Sequence, residues 1–113
     1  MTKYLGNLTK NNCVIAISTT TSAAVDLQGL VICQLIIPSA FTGTAITFES
    51  SPDDGTYQAL YNSSNTQLSI TVGTSRTYNI NPADFAGCRF LKIVSNDTET
   101  AARTIQIMTR EAC

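Results

Sequence analysis

Thr47-Phe48-Glu49-Ser50-Ser51-Pro52-Asp53-Asp54-Gly55-Thr56-Tyr57 reads as the end of one strand, a sharp reversal and the start of the next. Just upstream, Thr44, Ile46 and Phe48 alternate with Ala45, Thr47 and Glu49, a period of two that lets one face of a strand be buried. Pro52 has no N–H to give to a sheet ladder, and Asp54-Gly55 suits the positive φ of a tight turn, so the first strand must stop near Ser51. This hairpin sets the expectation of an all-β chain.

Working outward, the same alternation and turn chemistry recur at short intervals. Strands are expected at Cys13–Ser18, Ala23–Leu27, Leu30–Ile37, Thr44–Ser50, Tyr57–Tyr61, Gln67–Val72, Thr77–Ile80, Cys88–Ser95 and Arg103–Arg110. Gln28-Gly29, Pro38-Ser39, Asn62-Ser63-Ser64-Asn65 and Gly73-Thr74 punctuate them. Eight or nine short strands at this spacing predict an antiparallel β-sandwich of jelly-roll type. Leu30–Ile37, continuously apolar except at Gln34, is expected to be buried on both faces. Asn81-Pro82-Ala83-Asp84-Phe85-Ala86-Gly87 has a capping Asn, a Pro at the first position and a terminating Gly, which suits a single helical turn. Phe48, Phe85 and Phe90 are the expected aromatic core. Residues 1–12 are polar with scattered Tyr4, Leu5 and Leu8, and read as an N-terminal arm that frays or docks, leaving 13–113 as one sandwich domain.

Composition narrows the function classes. At 113 residues the chain is one domain, long enough to close a core without disulfides or metals. Only 13% of residues are charged, against about a quarter in ordinary globular domains. Seven basic and eight acidic residues give a net charge of -1, so there is no electrostatic case for nucleic acid or an anionic membrane surface. The uncharged stretch Leu27–Phe48 is broken by Gln28, Gly29, Gln34, Pro38, Ser39, Thr42, Gly43 and Thr44, far short of the ~20 apolar residues of a membrane span. The N-terminus lacks the apolar core of a secretory signal, which predicts cytosolic synthesis. Cys13, Cys33, Cys88 and Cys113 form no C-x-x-C pair, and in a reducing compartment Cys33 and Cys88 read as small buried thiols.

Catalytic sets are mostly excluded. There is no histidine, which removes Ser-His-Asp and Cys-His arrangements and the commonest general base at neutral pH. Glu49, Asp53 and Asp54 are a conceivable carboxylate pair for glycoside hydrolysis, yet Asp beside Gly is what a hairpin needs and Glu49 fits a solvent-facing strand position. Asp53 and Asp54 as calcium ligands lack EF-hand spacing, and no phosphate-binding glycine loop occurs. The glycosylation sequons at Asn7, Asn62 and Asn96 are what an Asn-, Ser- and Thr-rich chain yields by chance. No cofactor or metal is called for, and the chain reads as non-enzymatic. Tyr57, Tyr61 and Tyr78 are candidates for a sugar-stacking platform, although the chain lacks tryptophan.

The 47–57 segment, followed by Ser75-Arg76-Thr77-Tyr78-Asn79-Ile80-Asn81-Pro82-Ala83-Asp84-Phe85-Ala86-Gly87-Cys88-Arg89-Phe90-Leu91-Lys92-Ile93, resembles the small β-sandwich structural proteins of tailed bacteriophages, including the head decoration or cement proteins. The resemblance covers roughly residues 30–110 and is carried by sandwich motifs. It implies a capsid-surface protein of the virion whose partners are the major capsid protein and neighbouring copies of itself. The expected contact residues are Tyr4, Leu5, Leu8, Asp53, Asp54, Tyr57 and Tyr61. The Phe48–Tyr57 phrase also resembles carbohydrate-binding sandwiches, which would place a sugar near Tyr57, Tyr61 and the Asp53-Asp54-Gly55 turn.

Overall fold

The computed structural model describes residues 8–111, and these form two antiparallel sheets packed face to face. In chain order the strands are β1 Thr9–Ile15, β2 Val25–Asp26, β3 Leu30–Ile37, β4 Ala45–Ser51, β5 Gln58–Ala59, β6 Ser69–Thr71, β7 Arg76–Asn79, β8 Phe90–Ser95 and β9 Arg103–Glu111. One sheet has the order β1-β9-β3-β7; the other runs β2-β8-β4-β5, with β6 also beside β4. The hairpin pairs are nested: β1 with β9, β2 with β8, β3 with β7, and β4 with β5 and β6. Successive pairs fall in opposite sheets, which is the jelly-roll arrangement expected from the strand count.

Alternation along the strands builds the core. Leu91, Ile93 and Ser95 of β8 point inward, as do Ile46 and Phe48 of β4 and Ile105, Ile107 and Thr109 of β9. Phe48 meets Phe85 edge to face, with ring centroids 5.0 Å apart. Each buried Leu, Ile or Phe among them contributes roughly 1.5–3 kcal/mol through removal from water. Phe90 departs from expectation. It lies on the outer face of β8, half-buried, with the Arg89 guanidinium 5.0 Å above its ring. Phe41, which precedes β4, is a buried member of the core.

Other boundaries shift for identifiable reasons. β1 starts at Thr9 because Thr9–Asn12 pair with Gln106–Thr109, so the last part of the expected arm belongs to the sheet. It ends at Ile15, before the positive φ of Ser18. β3 is not uniformly buried. Its register against β9 slips between Ile32 and Gln34, leaving Cys33 as an extra residue half-exposed at a bulge, its thiol donating to the Met108 carbonyl at 3.4 Å. The slip lets Ile32 and Leu35 both reach the core. β8 begins at Phe90, two residues after Cys88. Cys13, Cys33 and Cys88 are free thiols, and burial pushes Cys13 up to about 12. The turn at 81–87 is a short 3-10 helix, Pro82–Phe85, capped by the Asn81 side chain accepting from Ala83 N–H at 3.1 Å.

Glu99 is fully buried, between β8 and β9, and every polar neighbour it needs is present. One carboxylate oxygen accepts from Thr42 N–H at 3.0 Å and from Arg103 Nε at 3.1 Å; the other accepts from Gly43 N–H and the Ser95 hydroxyl, each at 3.2 Å. Its backbone joins the turn after β1, donating to Thr19 and accepting from Ser18. Gly43 is required by this packing, since a methyl group there would overlap the Ser95 hydroxyl. Beside it, the Asn96 side chain accepts from Thr44 and Ala45 N–H at 2.9 and 3.2 Å, fixing the start of β4. Three connections are thereby held at one end of the sandwich by charge-assisted hydrogen bonds. Glu99→Ala leaves Arg103 and two backbone donors without their acceptor, and should cost about 3–5 kcal/mol in urea unfolding. A loss below about 1 kcal/mol, the scale of an ordinary exposed pair, would show that the clasp is dispensable.

At the sheet edge, Arg89 grips Asp26 in a bidentate pair, Nε to Oδ1 at 2.6 Å and NH2 to Oδ2 at 3.1 Å. The guanidinium hydrogen bond holds the Asp26 carboxyl below its ordinary value, with the Gln28 N–H assisting. A carboxyl depressed in the folded state stabilises the fold above its unfolded pKa, and that contribution disappears as pH falls through the folded value. Asp26→Asn should therefore flatten the acid limb of the stability profile below pH ~4, where free Asp titrates, and leave the neutral region's slope unchanged. Identical acid limbs in urea titrations of the two proteins would exclude this role.

Candidate functional site

The hairpin tip between β4 and β5 is built by short-range hydrogen bonds. Asp53 folds back on itself, its Oδ1 accepting from the Ser51 hydroxyl at 3.1 Å and from Gly55 N–H at 2.9 Å. The positive φ of the turn falls on Asp54, at 62°, and not on Gly55, beside which the Asp53 carboxylate lies close. The Tyr57 hydroxyl donates to the Asp54 carboxylate. Lys92, in β8, places its ammonium 4.2 Å from the Tyr57 ring centroid. Glu49 is register partner to Lys92 and lies on the same outer face. The tip is thus pre-set, with its two aspartates engaged internally.

The sequence-derived contact residues do not converge. Tyr4 and Leu5 lie outside the described residues. Leu8 is 61% exposed and edges a shallow depression of about 330 Å³ on the outer face of the first sheet, shared with Cys33, Gln34, Asn79, Met108 and Arg110. Tyr61 stands in a separate loop closed by its bridge to Gln67, level with Phe48 rather than with the tip. Only Asp53, Asp54 and Tyr57 are brought together. As a sugar platform Tyr57 is compromised, because one ring face is under Lys92 and its hydroxyl is engaged by Asp54. Lys92 had no local signal in the sequence; its role follows from the β4–β8 register.

A second concave feature lies between the sheets. Where β6 and β7 form facing edges of the two sheets, a cleft of about 260 Å³ opens beside the 3-10 helix. Buried Phe48 and Phe85 form its floor, and half-buried Leu68, Ile70, Tyr78 and Ile80 its walls. Exposed Asn81 and Asp84 stand at the mouth; Ser69 and Asn79 also border it but alternate outward with Thr47 and Gln34, and the Asn79 Oδ1 accepts from the Gln34 side chain at 3.0 Å on the outer face. The Tyr78 hydroxyl accepts from Gly73 N–H at 2.7 Å, which fixes the ring against the wall. Among the described residues, no group of three or more Cys, Asp or Glu side chains is arranged to hold a metal ion, and no helix is long and apolar enough to cross a membrane.

Solved structures share this architecture. The SPBc2 prophage-derived protein YomS superimposes over 98% of this chain and 99% of its own, with a TM-score of 0.65 at 16% identity. CBM32-1, from a family 31 glycoside hydrolase of Clostridium perfringens, superimposes over 89% of this chain and 76% of its own, with a TM-score of 0.50 at 20% identity. At these identities the likeness is one of fold. No protein-family model matches the chain, and no curated protein sequence matches it.

The tip can be probed through Tyr57. Partial desolvation and the Asp54 carboxylate that accepts its proton push this phenol up to about 12. In an ultraviolet titration one tyrosine of the wild type should ionise late, and Asp54→Asn should bring it back towards the ordinary value near 10. An unchanged profile in the variant would mean that the Tyr57–Asp54 contact is not formed in solution.

Proposed function

We propose that this chain is a non-enzymatic structural protein of a phage particle, of the decoration type that binds the outer surface of the head through the major capsid protein and neighbouring copies of itself. The observation that carries the reading is the end-to-end likeness to a prophage-derived protein, in which the sandwich accounts for 99% of the other chain. The phage-like segments 47–57 and 75–93 map onto the hairpin and onto β7, the 3-10 helix and β8. A low-charge surface gives little colloidal repulsion and suits a protein held in an assembly. Repetition of one contact over a symmetric shell converts modest single-site affinity into lasting occupancy, and binding the assembled shell but not its free subunits stabilises the shell by mass action. The protein is then synthesised in the host cytoplasm and ends on the virion surface.

The pre-ordered tip, Asp53 to Tyr57, and the 1–7 segment that leads into β1 are the surfaces assigned to the capsid. Purified protein mixed with heads lacking it should bind saturably, at a stoichiometry matched to the capsid lattice, and raise head survival on heating. Deleting residues 1–7, which leaves β1 intact, should weaken that binding. Absence of any binding to heads would overturn the decoration reading, and undiminished binding by the deletion variant would remove the N-terminal segment from the contact.

A further inference from the structure

We infer that β7 is the edge through which two copies of this chain pair, antiparallel about a two-fold axis at Tyr78, to form one continuous sheet. β7 ends the order of the first sheet, with β3 on one side and no described strand on the other. Ile80 N–H donates to the Cys33 carbonyl at 3.1 Å, so by alternation Tyr78 and Arg76 also turn their backbone groups to β3. Thr77 and Asn79 therefore turn theirs to the open side, and both residues are exposed. Such an edge is a template for another strand. The same open side holds the β6–β7 cleft, floored by Phe48 and Phe85, which a second sandwich set edge to edge would roof.

Register and charge select a second copy as the occupant. Residues directly opposite each other in an antiparallel pair lie on the same face, so a two-fold through Tyr78 sets Thr77 against Asn79 of the other copy and Arg76 against its Ile80. The outward backbone groups of Thr77 and Asn79 then bond each other on both sides of the axis. Arg76 opens β7, whereas Asp84 stands past its end at the mouth of the cleft, and among the described residues neither is in an ion pair. Antiparallel pairing brings the cationic end of each copy to the anionic end of the other. The other outer strand of the sheet offers no such match. β1 carries Lys10 as its one charged residue, a side chain of the kind that blunts an edge. Part of its free side is also taken, by Ala23 N–H donating to the Val14 carbonyl at 3.0 Å. The contact is the one through which neighbouring copies would meet on a head, and in that respect the inference rests on the decoration reading, although pairing in solution requires no head.

The test uses the full chain. Sedimentation velocity and amide NMR over about 10 µM to 1 mM should show a monomer–dimer equilibrium, the range expected of an interface below standard size. The concentration-dependent shifts should centre on residues 69–71 and 76–80. Thr77→Pro removes an N–H that β3 does not use, so it should keep the fold and abolish the dimer. Charge exchange decides the matter even where that variant fails to fold. Arg76→Glu and Asp84→Lys should each weaken dimerisation by roughly tenfold, and the two together should restore it. A monomer throughout the range, shifts centred elsewhere, a folded Thr77→Pro variant that still dimerises, or a double variant no better than the singles would each overturn the assignment. Head binding assayed in parallel separates the two readings: a monomeric chain that decorates heads removes only the pairing, and a dimeric chain that ignores heads removes only the decoration role.

Discussion

The structure depends on β9 lying between β1 and β3. β9 pairs with β1 from Thr9↔Thr109 to Ile15↔Arg103, and with β3 from Leu30↔Glu111 to Ile36↔Gln106. Without it, β1 loses its sheet partner and β3 retains only the four residues of β7. It also brings Ile105 and Ile107 to the centre of the core. The sheet therefore closes only when segments nearly the full chain apart meet, a non-local pairing that carries a large loop-closure cost and makes β folds of this kind slow to form. The Glu99 clasp stands at the head of β9. It anchors the β8–β9 connection against Thr42, Gly43 and the turn after β1, so that β9 leaves that connection aimed between its two neighbours.

How much of this was legible in the sequence varies with the range of the interaction. The β4–β5 hairpin was readable because its alternation and its turn residues are local, and the capped turn at 81–84 for the same reason. The bulge at Cys33 was hidden, because an extra residue in a continuous apolar run changes nothing in composition and shows itself only against Met108 on β9. Phe90 was assigned to the core by its chemistry, but the register of β8 against β4 puts Leu91 and Ile93 inside and Phe90 out. Glu99 sits in Asn96-Asp97-Thr98-Glu99-Thr100, which reads as a polar loop; its partners Thr42 and Gly43 lie 57 and 56 residues away. The cleft was equally hidden. Asn81 and Asp84 were recognisable as turn residues, yet nothing local says that they meet Ser69 and Ile70 of β6.

The fold separates two kinds of surface. Internally hydrogen-bonded loops such as 51–57 are pre-ordered, so that a contact made there would lose little entropy on docking. The cleft at the β6–β7 edge is concave and small, with Phe48 and Phe85 as its floor. The jelly roll accommodates both surfaces because its loops and edges lie outside the nested strand pairs beneath them.

The most direct test of the central claim is a difference map between electron cryomicroscopy reconstructions of particles made with and without this protein. The account predicts compact lobes of the size of this sandwich, arrayed on the outer surface of the head at symmetry-related positions, with the 51–57 tip or the N-terminal segment against the major capsid protein. Density confined to the tail, or two maps without a difference on the head, would contradict it.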